Sequence, residues 1–282
     1  MINKMKLFLI LGLCISTFLF IGCSNSDKNI KNNKNLYKPE INANDNSIKN
    51  ITNNKENEDN KNENNKINNE VKKLNKTIVI DPGHSSSANL DMEPISPSSD
   101  VLKIKDGGGA IGVYTNIPEY STCMSISLLL KDALVKSGFD VVMTKENNDI
   151  SLGNVERAEI GNNANANLVV RIHADSVESP DAEGASILVP SPLNENTAAI
   201  ADVSTSYANI IINNYCSKLN LYNRGVIIRD DMTGFNWSKV PVVILEMGFI
   251  SNPNEDAFLS NTGNHSTIAN IIAESITLCF NT

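Results

Sequence analysis

Three short apolar runs limit what this chain can fold into. Thr77-Ile78-Val79-Ile80, Leu168-Val169-Val170-Arg171-Ile172 and the run 240–245 are too short for helices and rich in β-branched residues, so each reads as a buried strand. Each also stops at a polar residue. The first enters Asp81-Pro82-Gly83-His84, the second reaches His173 and the third reaches Glu246. Segments of helical period lie between them. Ile126, Leu129, Leu130, Ala133 and Leu134 recur at helical spacing until Gly138. Residues 154–164, the set Ile200, Val203, Tyr207, Ile210 and Ile211, and residues 268–276 predict three more helices, and 139–144 and 185–189 two more strands. Strands alternating with helices point to the α/β class: a single domain with a mostly parallel central sheet flanked by helices. In open sheets of that kind ligands gather at the carboxyl ends of the strands, where His84, His173 and Glu246 fall.

The first 76 residues stand outside that pattern. Lys4 and Lys6 precede an apolar stretch over 7–21, short of the roughly 20 residues that span hydrocarbon, so 1–22 reads as a secretory signal. Its end, Leu19-Phe20-Ile21-Gly22-Cys23, resembles a bacterial lipobox, with Phe20 where Leu is usual, and makes Cys23 the lipidation candidate. An uncleaved anchor and plain secretion are the alternatives, and all three place the domain outside the cytoplasm. Residues 24–76 hold 19 Asn and 11 Lys in 53 positions, too little apolar surface to fold. Residues 23–76 are therefore read as a disordered tether, spanning about 40 Å as a flexible coil. Residues 77–282 form the expected domain, a monomer held at the outer face of the cytoplasmic membrane.

Charge narrows the function. The whole chain carries −8, but the domain alone has 11 basic and 24 acidic residues, a net of −13. Binding to nucleic-acid phosphates needs clustered Lys and Arg, so nucleic acid is excluded as a partner. Of five cysteines, Cys123, Cys216 and Cys279 lie in the domain, an odd number without a Cys-x-x-Cys pair. They read as partly buried thiols on helices, and no zinc site is built from sulfur.

The polar strand ends carry the chemistry. Singly, a His after a strand is more often a hydrogen-bonded structural residue than a ligand, and Glu246 could cap a turn or pair with an arginine. Jointly, they are three polar groups able to meet at one point, and a carboxylate ending an apolar strand is costly to desolvate without a cation or donor. A zinc ion takes His nitrogen and carboxylate oxygen. Two histidines need a third ligand, for which Glu119, following Pro118 at a predicted helix start, is the candidate; serving the helix N-terminus is its competing role. His265 is expected at the surface. Asp81 either orients His84 or shapes the Asp-Pro-Gly turn, with the turn favoured. Arg157 and Arg224 either meet substrate carboxylates or form structural ion pairs, with ion pairs favoured. Trp237 packs on sugar or at a core edge.

Several motifs occur in a fixed order: Val79-Ile80-Asp81-Pro82-Gly83-His84, Pro118-Glu119, Glu156-Arg157-Ala158 with Ala164-Asn165-Ala166, Arg171-Ile172-His173-Ala174, Asn223-Arg224-Gly225-Val226 and Leu245-Glu246-Met247-Gly248-Phe249-Ile250-Ser251-Asn252. Together they resemble the zinc-dependent N-acetylmuramoyl-L-alanine amidases of bacterial cell walls, over residues 77–282. The resemblance implies a zinc held by His84, Glu119 and His173, with Glu246 as the catalytic carboxylate. It also implies a peptidoglycan glycan-peptide substrate, cut between the lactyl group of N-acetylmuramic acid and L-alanine. The sequence departs from the family after the first His. Ser85-Ser86-Ser87 replaces the usual Gly-rich turn, and an insertion runs to about Gly112, placing Glu93 and Asp106 as competitors of Glu119. The segment 88–118 is similar to a longer-looped branch of the family. A peptidoglycan-binding regulatory lipoprotein without activity is the alternative from another class, and a zinc peptidase cutting stem-peptide bonds is a third reading.

Overall fold

The computed structural model describes residues 73–281. The expected signal, Cys23 and most of the tether lie outside them. One six-stranded sheet is built from β1 (Thr77–Pro82), β4 (Asp140–Met143), β5 (Leu168–Asp175), β6 (Ala185–Pro190), β7 (Asn223–Arg229) and β8 (Val242–Phe249), in the order β4-β1-β5-β8-β6-β7. The first four strands of that order are parallel; β6 runs antiparallel to β8 and parallel to β7. The helices are α1 (Glu119–Lys136), α2 (Asn154–Asn163), α3 (Ala198–Leu219), α4 (Thr233–Asn236), α5 (Pro253–Leu259) and α6 (Thr262–Leu278). The α/β reading with a mostly parallel sheet holds. Among the described residues no helix is long and apolar enough to cross a membrane.

Strand period decides how the two faces differ. Ile78 and Ile80 of β1, Leu168, Val170 and Ile172 of β5, and Val243 and Leu245 of β8 meet α1, α3 and α6 in the larger core. The alternate residues Val79, Val169, Val242 and Ile244 face the other way, joining Phe235 and the half-buried Ile160 and Ala164 in a much smaller one. The thinner face carries the site. Cys123, Cys216 and Cys279 are free, and buried more fully than the partly buried thiols expected.

The insertion is ordered by the rest of the domain. β2 (Asn89–Pro94) and β3 (Leu102–Asp106) form an antiparallel hairpin pairing Met92 with Ile104 and Glu93 with Lys103. Neither strand was expected, because their apolar residues stay exposed: Leu90, Met92, Leu102 and Ile104 all face solvent. Polar contacts hold the hairpin instead. Glu93 Oε1 accepts the Asn154 N–H at 2.8 Å and Oε2 the Val155 N–H at 3.1 Å. Those are unpaired donors at the positive end of α2, where a carboxylate is favoured. Trp237 Nε1–H donates to the Pro94 carbonyl at 3.0 Å and Asn236 Nδ2 to the Ile95 carbonyl at 3.0 Å. Glu93 is thus a helix cap and hairpin anchor, and Trp237 serves the fold rather than presenting a free face. Glu93→Ala is expected to cost about 1–2 kcal/mol in denaturant titrations and to speed proteolytic cutting within 89–106.

Candidate metal and catalytic site

β1 delivers His84 through a turn that the rest of the site depends on. Beyond Pro82 the chain enters Gly83, and His84 adopts a left-handed backbone at φ 53°, uncommon for a residue with a side chain. Three donors stabilise the turn. Arg157 Nη1 donates to the Pro82 carbonyl at 2.8 Å, Arg157 Nη2 reaches the His84 carbonyl at 3.4 Å, and the buried Lys145 ammonium also donates to the His84 carbonyl. Gly83 is required for space: a Cβ there would lie 2.6 Å from His173 Cε1.

Beneath the turn lies a buried ion cluster. Asp81 is fully buried, with Oδ1 2.6 Å from Arg157 Nη1 and from the Thr144 hydroxyl, and Oδ2 2.7 Å from Arg171 Nε. Burial alone would raise the Asp81 carboxyl, but the charges of Arg157 and Arg171 and the Thr144 bond hold it well below the usual carboxylate range. Asp81 therefore neither contacts His84 nor merely shapes a turn, which corrects both expectations. Arg157 forms the structural ion pair expected of it.

Glu119 arrives on a loop pinned from below. Asp256, fully buried on α5, accepts the N–H groups of Tyr114 at 2.8 Å and Thr115 at 2.7 Å, and the hydroxyls of Thr115 at 2.8 Å and Ser260 at 2.9 Å. Helix α1 then starts at Glu119, whose side chain turns inward rather than serving the helix end. Oε1 takes the Ala174 N–H at 3.2 Å and lies 3.1 Å from His173 Nδ1; Oε2 takes the Ala110 N–H at 3.1 Å and lies 3.4 Å from His84 Nε2. Burial opposes ionisation of Glu119, yet His173, His84 and the Ala110 N–H hold its carboxyl below the ordinary value.

His84, Glu119 and His173 thus converge, with one candidate ligand atom from each within 4.8 Å of the others and the two rings 5.0 Å apart at 84°. Asp106, at the end of β3, sits 2.8 Å from His84 Nδ1. Burial pushes the Asp106 carboxyl up, but its bonds to His84 and the Gly108 N–H bring it below its usual value, so it accepts the Nδ1 proton. A neutral imidazole with Nδ1–H bonded to Asp106 would aim its Nε2 lone pair at the Glu119 carboxylate 3.4 Å away, a pairing that a cation held between them would satisfy. Burial also lowers the His173 value, favouring neutral imidazole, and its Nε2 is buried without a hydrogen-bond partner. A His/Glu/His set with a lone pair facing a carboxylate and an orphaned nitrogen suits zinc.

Glu246 stands beside this cluster. It pairs in register with His173, and both strands continue past these residues, β5 to Asp175 and β8 to Phe249. The expectation that the strands end there is corrected: His173 and Glu246 project from the sheet face, because each strand completes the other's ladder. Both line a cavity of about 290 Å³ that also borders His84, Asp106 and Arg171. Burial raises the Glu246 carboxyl well above its usual range, reinforced by Glu119 and Asp175 and opposed by Arg171. A cation held by the neighbouring ligands would bring it down again.

The remaining candidates lie elsewhere. Arg224 donates to the Glu183 carbonyl at 3.2 Å and stacks over Phe249. His265 is buried, not at the surface: its Nδ1 is 2.7 Å from the Ser125 hydroxyl and its Nε2 2.8 Å from the Leu259 carbonyl, so it ties α1 and α6 together. Sequence reasoning missed Lys145, and it missed Asp106 as the partner of His84. It also missed the Asp81–Arg171 pair, although a charged residue inside an apolar strand run signals a buried counter-charge.

This chain belongs to the Amidase_3 family, N-acetylmuramoyl-L-alanine amidase, whose model matches residues 78–278. Its curated relatives include the "Probable cell wall amidase LytH" of Staphylococcus saprophyticus, 25% identical over 206 residues, and that of Staphylococcus aureus, 25% identical over 207. Each match covers 73% of this chain and 58% of the relative, so the similarity spans little more than half of those proteins. Among solved structures, the amidase Ami1 from Mycobacterium smegmatis superposes with a TM-score of 0.66 at 22% identity, covering 73% of this chain and 97% of that one. The catalytic domain of CwlV from Bacillus (Paenibacillus) polymyxa var. colistinus gives 0.54 at 25% identity, covering 72% and 97%.

Two outcomes follow from the geometry. Asp81 is ionised in the fold at pH values where the unfolded chain would be protonated. Its contribution is therefore complete above the ordinary carboxylate pKa of about 4 and lost as pH falls below it. Asp81→Asn, leaving two buried guanidiniums without the carboxylate that pairs with both, is expected to cost about 3–5 kcal/mol at neutral pH, and to flatten the acid side of stability measured by denaturant titration. Gly83→Ala pushes on the His173 ring, and zinc competition against a chelator is expected to show affinity lower by about 10- to 100-fold.

Proposed function

We propose that this protein is a zinc-dependent hydrolase that cuts the amide between the lactyl group of N-acetylmuramic acid and L-alanine in peptidoglycan. The observation that carries the reading is the meeting of His84, Glu119 and His173 at one point, with Glu246 lining the cavity that His84 and His173 also border, in a chain of the Amidase_3 family. His84, Glu119 and His173 hold the metal, and Asp106 fixes the His84 ring. When bound, zinc supplies Lewis acidity at the scissile carbonyl. Glu246 accepts a proton from the attacking water and returns it to the departing alanine nitrogen, because an amine anion is a very poor leaving group. Burial, with the Glu119 and Asp175 carboxylates nearby, favours the protonated form of this group and so its uptake of the water proton. Outside the described residues, the signal over 1–22, lipidation at Cys23 and the tether over 23–76 hold residues 77–282 above the outer face of the cytoplasmic membrane, within reach of the wall. This is the reading supported by the leader and the cell-wall relatives.

The test is digestion of purified wall by the metal-loaded protein, with products weighed by mass spectrometry. Release of peptides with free N-terminal alanine, abolished by a chelator and restored by zinc, is the expected result. Cleavage within the stem peptide, or metal binding without any release, would overturn the assignment. Glu246→Gln is expected to keep zinc and lose about 10²- to 10⁴-fold in kcat, whereas His84→Ala is expected to lose the metal itself.

A further inference from the structure

The segment 110–119 that brings Glu119 to the histidines is closed on itself. Ile111 and Pro118 form an antiparallel bridge, the Gly112 N–H donates to the Ile117 carbonyl at 3.0 Å, and the Glu119 N–H donates to the Ala110 carbonyl at 3.0 Å. The Glu119 carboxylate in turn accepts the Ala110 N–H. Backbone and side chain of Glu119 are thus both fixed to the first residue of the loop, so a shift of the loop carries this ligand candidate with it. Ile111, Val113 and Tyr114 near the tip are exposed, and hydrophobic burial gives the tip little to hold it.

What holds the tip is polar, and it comes from the chain that follows Glu246. The Val113 N–H donates to the Ile250 carbonyl at 2.9 Å. Asp256 does the rest: Oδ2 accepts the successive N–H groups of Tyr114 and Thr115, and Oδ1 accepts the Thr115 and Ser260 hydroxyls. The fit is tight, since a Cβ on Gly112 would lie 2.2 Å from Asp256 Oδ1. The Ile250 N–H closes the circuit by donating to the Asp175 carbonyl at 2.9 Å, and the neighbouring Ala174 N–H binds Glu119 Oε1. We propose that Asp256 is a positioning residue for metal binding: by clamping the tip of the 110–119 loop it keeps the Glu119 carboxylate where His84 and His173 can share a cation with it. The proposal rests on the metal reading of the site and extends it to a residue fully buried on α5. Leaving two N–H groups and a hydroxyl without their acceptor is costly, so without Asp256 the tip moves to find other partners and the far end of the loop moves with it. Loosened ligands bind metal less tightly. An Asn side chain keeps one oxygen for the two N–H groups, and hydroxyls can turn to accept from its amide, so Asn preserves the clamp and Ala does not.

The test is zinc competition against a chelator on the full-length protein, read beside its unfolding midpoint. Asp256→Ala is expected to bind zinc about 10- to 100-fold more weakly than the parent, and Asp256→Asn to stay close to the parent. Gly112→Ala, which pushes on the same carboxylate from the loop side, is expected to weaken zinc binding in the same direction. Ile211→Ala truncates a buried core residue of α3, away from the loop, and separates the clamp from general loss of stability. It is expected to lower the unfolding midpoint and leave zinc affinity unchanged. Parent-like zinc affinity in Asp256→Ala or Gly112→Ala, or an equal loss in Ile211→Ala, overturns the proposal while leaving the amidase reading intact. Should Asp256→Ala fail to fold, Gly112→Ala carries the same decision. A parent protein that binds no zinc overturns both.

Discussion

The site rests on one buried carboxylate bridging two guanidiniums. Asp81 joins β1 to β5 through Arg171 and to α2 through Arg157, and the same Arg157 continues to the carbonyls of Pro82 and His84. Fully desolvated, such a cluster is stable only when every charge is met, and removing one member strands the others. Its value here is geometric. The left-handed backbone of His84 is unfavourable in isolation, and the cluster supplies the donors that keep it. Histidine placement is therefore inherited from an ion pair one strand layer below.

The thinner face of the sheet can be followed as layers along the strands. Val79, Val169 and Val242 form an apolar layer, Asp81, Arg171 and Ile244 the next, and Gly83, His173 and Glu246 the last. Moving toward the carboxyl ends, hydrophobic packing gives way to paired charge and then to reactive groups. The larger core beneath α1, α3 and α6 lies on the opposite side, so the stabilising burial and the polar chemistry are separated by the sheet itself. A group as costly to bury as Glu246 is tolerable in that arrangement because the other face supplies the stability.

Much of this was legible in the sequence, and the gaps have physical causes. β-branched runs revealed β1, β5 and β8, and helical spacing revealed α1, α3 and α6, because deep burial imposes a periodic pattern. The hairpin β2–β3 and strand β7 left no such trace, since both expose much of their apolar surface and are held by polar contacts and edge pairing. Of the site, His84, His173 and Glu246 were visible as polar ends of apolar runs. Glu119 needed the family pattern, since its inward turn depends on the distant Asp256. His265 was misread because a histidine buried by helix packing carries no local mark, and its two partners, Ser125 and the Leu259 carbonyl, lie in other segments.

The inserted hairpin has a fixed lower boundary with a bearing on how the family can vary. β3 ends on Asp106, the residue that sets the tautomer of His84. Turn residues between Ile95, whose carbonyl is held by Asn236, and Leu102 can lengthen, shorten or change composition without reaching His84, Glu119 or His173. Any deletion that carries away Asp106 removes the ring's orienting acceptor together with the loop. Natural diversification of this arm should therefore concentrate at its tip, with its last residue behaving as part of the catalytic machinery and not as decoration.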